Sequence, residues 1–267
     1  WSQNKDFIYC NFKNGIIKLL GREYVINALG LPVSIHSNKS EISSMPARVI
    51  MTIDGQERSL DIGEPEVTKF QDWRIQFQGK AQEANLAFKA SGWVEQDGLV
   101  YVDFTFGPKD NKSVNLNALR IEYPINKNDA DALLCIGPGE NYSSRTTMLL
   151  PKNKHGRLWS TLDTGISGSG MTIGSFYPTV WIGSERRGLL WWADNDKGWI
   201  QQNAVPAHEA IRRGDSVVLV NNIVAQPSTI SVPRTISFSY IATPFKPMVK
   251  GWRMTQSTED GTFHQPF

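Results

Sequence analysis

Hydrophobic and polar residues alternate with a period of two along most of this chain, in short runs. In "LVYVDFTFG" Val100, Val102, Phe104 and Phe106 take one face, and Leu99, Tyr101, Asp103 and Thr105 take the other. That is the period of a strand half buried in a sheet. "NLAFKASGWVEQ" precedes it, and Asp97-Gly98 between the two suits a tight turn with positive φ. "ARVIMTI", "VTKFQDWRIQFQG", "NALRIEYPI", "FYPTVWIG", "LLWWAD", "SVVLVNNIV" and "TISFSYIAT" read as further strands. Helical spacing is confined to "VPAHEAIRRGD" and "NKNDADALLC", each good for a turn or two. Strands this numerous and this closely spaced predict an all-β fold: a large antiparallel β-sandwich with few or no helices. We expect one domain over residues 1–267, with a possible subdivision near 160–172 inside the flexible "STLDTGISGSGMTIG".

The densest pattern is "WIGSERRGLLWWADNDKGW", Trp181 to Trp199, with four of the nine tryptophans. A hairpin turning at "SERR" between Gly183 and Gly188 sets Ile182 opposite Leu189, Trp181 opposite Leu190, Val180 opposite Trp191 and Thr179 opposite Trp192. One face then carries Pro178, Val180, Ile182, Leu189, Trp191 and Ala193 and is wholly apolar. The other carries Tyr177, Thr179, Trp181, Leu190, Trp192 and Asp194. A one-residue slip would leave neither face cleanly apolar. Flat aromatics beside a hydroxyl, a phenol and a carboxylate suit a sugar, whose C–H face stacks on indole while its hydroxyls take hydrogen bonds. Packing against the core or a neighbouring domain suits the same residues. Glu185, Arg186 and Arg187 at the tip read as a solvated charge cluster or as interface charges. Trp199 and Trp252 read as anchors of strand ends.

Composition narrows the function classes. At 267 residues, 40% hydrophobic, the chain can bury a substantial core. A net charge of +2 with no Lys/Arg stripe gives no reason to expect nucleic acid. No window approaches eighteen consecutive apolar residues, so no membrane span is expected. The chain begins at Trp1, which reads as a processed product or a piece of a longer protein. Cys10 and Cys135 read as buried thiols or as one bridge. The sequons at Asn38, Asn111 and Asn141 and the "RGD" at 213–215 are short motifs of low specificity.

Local catalytic signatures are absent. "GISGSG" (165–170) has the wrong glycine order for a phosphate loop and leads into a strand-like segment. His36, His155, His208 and His264 are scattered, so no metal site is expected. "ADNDKG" lacks the downstream glutamate of a calcium loop and reads as a turn. No residue is nominated as catalytic and no cofactor is implied.

"FYPTVWIGSERRGLLWWADNDKGW", "LLGREYVINALGLPVSI" (19–35) and "TISFSYIATPFKPMVKGWR" (235–253) fall in an order that resembles the N-terminal β-sandwich domain of glycoside hydrolase family 123-like proteins. The resemblance implies an exported bacterial protein (secreted, periplasmic or at the cell surface) concerned with glycans. It also implies a downstream (β/α)₈ barrel that cleaves β-linked N-acetylgalactosamine with an adjacent Asp-Glu pair. This chain contains no Asp-Glu dipeptide, so those catalytic residues transfer to no position here.

Three functions follow as expectations. The first is a non-catalytic module that supports or completes a carbohydrate-binding cleft, with a glycan or a downstream catalytic barrel as partner. The second is a stand-alone glycan-binding domain. The third is a β-sandwich enzyme that cleaves glycans with carboxylates from distant strands.

Overall fold

A computed structural model describes residues 10–13, 15–37, 39–110, 112–137, 145–163 and 176–244, and the backbone of 256–257 and 263–264. The strands begin with β1 (Asn11–Lys13), β2 (Ile16–Leu19), β3 (Arg22–Ile26), β4 (Pro32–Ser37), β5 (Ser40–Glu41), β6 (Arg48–Ile53) and β7 (Gln56–Ser59). Next come β8 (Glu66–Gln71), β9 (Arg74–Glu83), β10 (Leu86–Glu95), β11 (Val100–Pro108), β12 (Val114–Leu116) and β13 (Ala118–Asn126). After these are β14 (Ala132–Ile136), β15 (Arg145–Leu149), β16 (Gly156–Ser160), β17 (Thr179–Gly183) and β18 (Gly188–Trp192). The last are β19 (His208–Arg213), β20 (Ser216–Val224), β21 (Ser228–Ile230), β22 (Arg234–Thr243), β23 (Gln256–Ser257) and β24 (Phe263–His264).

Two large sheets face one another. The nine-stranded sheet runs β15-β14-β17-β18-β22-β11-β10-β9-β8, and the six-stranded sheet runs β16-β19-β20-β13-β6-β7. A five-stranded meander, β1 to β5, contributes Leu29, Leu31 and Ile35 to the core. All pairings between named strands are antiparallel, as the alternation predicts. Phe88, Val102, Phe104, Val180 and Trp191 from one sheet meet Val49, Ile121, Tyr123, Val217 and Leu219 from the other in a single cluster. Burying each such side chain contributes about 1.5–3 kcal/mol.

Three segments depart from expectation. "VTKFQDWRIQFQG" is a hairpin, not one strand: Gln71 pairs with Arg74, and Asp72-Trp73 is the loop. Neither loop residue has positive φ, so the turn leaves no glycine signal. "VPAHEAIRRGD" is not helical but holds β19, whose inward residues His208, Ala210 and Arg212 alternate with Glu209, Ile211 and Arg213. Polar inward residues disguised its period of two. "NKNDADALLC" gives one 3₁₀ turn (Lys127–Asp129) and then β14. The 3₁₀ turn is the one helical element among the described residues.

Two polar centres are built into the sandwich. The Glu122 carboxylate is fully buried and accepts from Arg48 at 2.7 Å, Arg120 at 2.9 Å and Arg213 at 2.9 and 3.0 Å. Burial alone would raise its pKa; the hydrogen bonds and charges of Arg120 and Arg213 hold it below the usual carboxylate value. His208, fully buried, has its ring 5.0 Å from that of Trp191, and its Nδ1 meets Asn221 Oδ1 at 2.9 Å. Desolvation lowers its pKa to about 4, against the raising hydrogen bond of Asn221. Cys10 and Cys135 are unbridged and buried. Trp199 also belongs to the core, edge-on to Phe176 at 5.2 Å. Trp252, "GISGSG", the three sequon asparagines and most of "STLDTGISGSGMTIG" lie outside the described residues.

Candidate functional site

The tryptophan hairpin forms in the expected register, with Thr179 opposite Trp192, Val180 opposite Trp191 and Trp181 opposite Leu190. Val180, Ile182, Leu189 and Trp191 are buried between the sheets, whereas Thr179, Trp181, Leu190 and Trp192 lie half-buried on the outer face. Trp181 lies flat across the two glycines that flank the turn. A Cβ at Gly183 would come 2.3 Å from its Cζ2, and one at Gly188 would come 2.8 Å from its Nε1. The same indole donates from Nε1 to Thr243 Oγ1 at 3.2 Å.

Not every residue of the hairpin goes where its alternation sent it. Tyr177 precedes β17 and packs, half-buried, against the core cluster. Arg187 is not a solvated tip charge. Its Nε donates to Asp129 Oδ1 at 2.7 Å and its guanidinium to the Ser37 carbonyl at 3.4 Å, tying the hairpin to the 3₁₀ turn and to β4. Glu185 and Arg186 are exposed. Asp194 is exposed just beyond β18, close enough to Tyr101 for its charge to act on that phenol.

From Trp192 a row of side chains crosses the outer face: Trp192 opposite Ser239, Ser239 opposite Tyr101, Tyr101 opposite Trp93, and Trp93 opposite Gln76. Trp93 and Tyr101 are stacked, with centroids 4.1 Å apart and planes 13° from parallel. The Arg74 guanidinium sits 4.7 Å from the Trp93 ring and 4.5 Å from that of Trp73, and it also pairs with Glu95. Contacts of this kind hold aromatic rings in place.

One step along the strands lies a second row: Ser237, Asp103, Ser91, Gln78 and Glu66. Asp103 is its centre. Tyr101 donates to Asp103 Oδ1 at 3.0 Å and Ser237 to the same oxygen at 2.5 Å, so Oδ2 is left to accept from a ligand. Against the lowering hydrogen bond of Ser237, partial burial, Asp103 and Asp194 raise the Tyr101 pKa, so the phenol is a neutral donor at physiological pH. Two open grooves meet at Asp103. One of about 490 Å³ runs towards Lys80 and Lys89, and one of about 300 Å³ runs towards Trp93 and Arg74. Both lie in the size range of small-molecule sites, roughly 300–1,000 Å³. The arrangement supplies stacking planes, neutral donors and a carboxylate acceptor, which is a recognition surface for a polyhydroxylated ligand.

Alternation places Tyr101 and Asp103 on the face opposite Val102 and Phe104 and assigns them no role. The missing signal was register across strands far apart in sequence: β22 brings Ser237 and Ser239 beside β11 over more than 130 residues.

No curated protein matches the chain. Among solved structures, it is similar to a putative aldose 1-epimerase from Escherichia coli K12, at 7% identity over 85% of this chain and 97% of that one, with a TM-score of 0.47. It is also similar to a galactose 1-epimerase from Lactobacillus acidophilus NCFM, at 6% identity over 88% and 97%, with a TM-score of 0.46. Residues 10–197 match the family described as glycoside hydrolase 123, third domain. That span includes β10, β11 and the tryptophan hairpin; the chain belongs to the glycoside hydrolase 123 third-domain family.

Proposed function

We propose that this chain is a non-catalytic β-sandwich module of an exported bacterial glycan-processing protein, and that the outer face of its nine-stranded sheet contacts the glycan. The observation that carries the reading is the Asp103 centre: a carboxylate with a free oxygen, held by Tyr101 and Ser237 at the meeting of two grooves. Trp192 and Tyr101 extend it into a platform for sugar rings, with Tyr101 backed by the Trp93 ring, which Arg74 covers in turn. Thr179 and Asp194 flank that platform, and Trp181 lies beyond it.

A second contact is favoured by the far end of the same face. Leu149 on β15 and Ile136 on β14 are exposed large aliphatics, and apolar surface of this kind suits a catalytic barrel domain. The module would then present both grooves while docked by its edge.

Calorimetric titration of the 267-residue chain with neutral oligosaccharides tests the reading. Binding that weakens in Asp103→Ala and Trp192→Ala, with unchanged melting of both variants, is the expected result. Release of reducing ends by this chain alone would overturn the non-catalytic assignment.

A further inference from the structure

The row beyond Asp103 has a different chemistry. Thr235 pairs with Thr105, Thr105 with Lys89, and Lys89 with Lys80. The two lysines stand directly opposite one another on the second and third strands from the β8 edge, both exposed, and both line the larger groove. Directly opposed cross-strand residues have Cβ atoms about 4.5–5.5 Å apart, and like charges there destabilise the pairing. Among the described residues neither lysine forms an ion pair. The groove's carboxylates, Glu66 and Asp103, keep their charge but lie one row away along the strands, where they accept from Gln78 and from Tyr101 and Ser237; the salt bridges pair neither with Lys80 or Lys89. Two opposed ammonium groups without a carboxylate in contact are what an oxyanion would satisfy. The Thr105 hydroxyl stands beside them, bonded to that of Thr235 at 2.8 Å.

We propose that the Lys80–Lys89 end of the groove binds an anionic substituent of the glycan, a carboxylate or a sulfate ester, while the rings of the same chain lie towards Asp103 and the Trp93–Tyr101 stack. The proposal rests on the glycan-binding reading above and narrows its ligand to acidic polysaccharides. Lys89 and Trp93 are four residues apart on β10, about 13 Å at the rise of a strand, which suits an oligosaccharide and not a single sugar. Binding relieves the lysine repulsion, so affinity falls with salt.

The test is affinity electrophoresis of the 267-residue chain through gels containing polygalacturonate, dextran sulfate or neutral dextran, at two salt concentrations. The variants are Lys80→Gln/Lys89→Gln, the charge-keeping Lys80→Arg/Lys89→Arg, and the control pair Lys109→Gln/Lys112→Gln, which removes the same charge outside the groove. We expect retardation by a polyanion that falls at least tenfold in the groove Gln pair and persists in the Arg and control pairs. Retardation by polygalacturonate alone identifies the carboxylate, and by dextran sulfate alone the sulfate. Equal loss in the control pair means that net charge is responsible and overturns the proposal. Binding of neutral dextran with no preference for polyanions overturns the proposal and leaves the glycan-binding reading standing. Absence of retardation in all three gels overturns both.

Discussion

The outer face of the nine-stranded sheet divides into two regions built on one backbone. At the β14–β17–β18 end the outward positions are Leu134, Ile136, Trp181, Leu190 and Trp192, with few polar groups among them. At the β11–β10–β9 end they are Tyr101, Asp103, Thr105, Trp93, Ser91, Lys89, Gln76, Gln78 and Lys80, polar but for Trp93 and Tyr101. Both ends obey the same alternation, and the inward neighbours at both are equally apolar. Alternation therefore decides which side chains reach the outer face, but only their chemistry decides what that face does. The tryptophan-rich end is the conspicuous one in sequence; the end with open grooves, free acceptors and unpaired cations is the quieter one.

Several measurements would break or sharpen that contrast. The largest effect is expected beneath it. Trp191→Ala should cost about 3–5 kcal/mol in urea unfolding, while the adjacent Trp192→Ala should cost well under half of that. Equal losses would mean that the outer face is packed as the inner one is. Acid should act on the inside alone. His208 ionises near 6.5 when unfolded and at about 4 when folded, so the unfolded chain takes up the proton first as pH falls. Stability is full above pH 6.5, declines between 6.5 and 4, and levels off below, a loss of about 3 kcal/mol. Glu122, depressed in the folded state, adds a loss in the same direction at lower pH. Urea midpoints from pH 7.5 to 4 check this, since His208→Asn should flatten that part of the slope.

On the outer face the effects should appear in binding. Asp103→Ala should weaken neutral oligosaccharides by roughly 5- to 30-fold, the equivalent of about 1–2 kcal/mol. If Asp103→Ala is silent and Trp192→Ala is not, the apolar end is the binding end and the contrast is reversed. Arg186→Ala at the exposed tip should change stability by less than about 0.5 kcal/mol, measured by thermal melting.

What could be read without coordinates follows from locality. The Trp181–Trp192 register was legible because both strands and their turn lie within fourteen residues, and only one pairing leaves an apolar face. The inward face of β11 was legible for the same reason. β19 was not, because His208 and Arg212 sit where apolar residues normally mark the inward side. Nor was the fate of Arg187, whose partners Asp129 and Ser37 are 58 and 150 residues away. The Asp103 centre drew on β11, β10 and β22 together. Its members looked ordinary until sheet order brought them side by side.

Trp191 and Trp192 are consecutive, yet one lies in the core against His208 and the other stands on the outer face in line with Tyr101. The chain therefore carries two optical reporters a single peptide bond apart. Emission from Trp192 will follow the surroundings of the outer face, and emission from Trp191 will follow the integrity of the sandwich. With the seven other tryptophans replaced, a mutant keeping only one of the pair would report on one side of the sheet without the other.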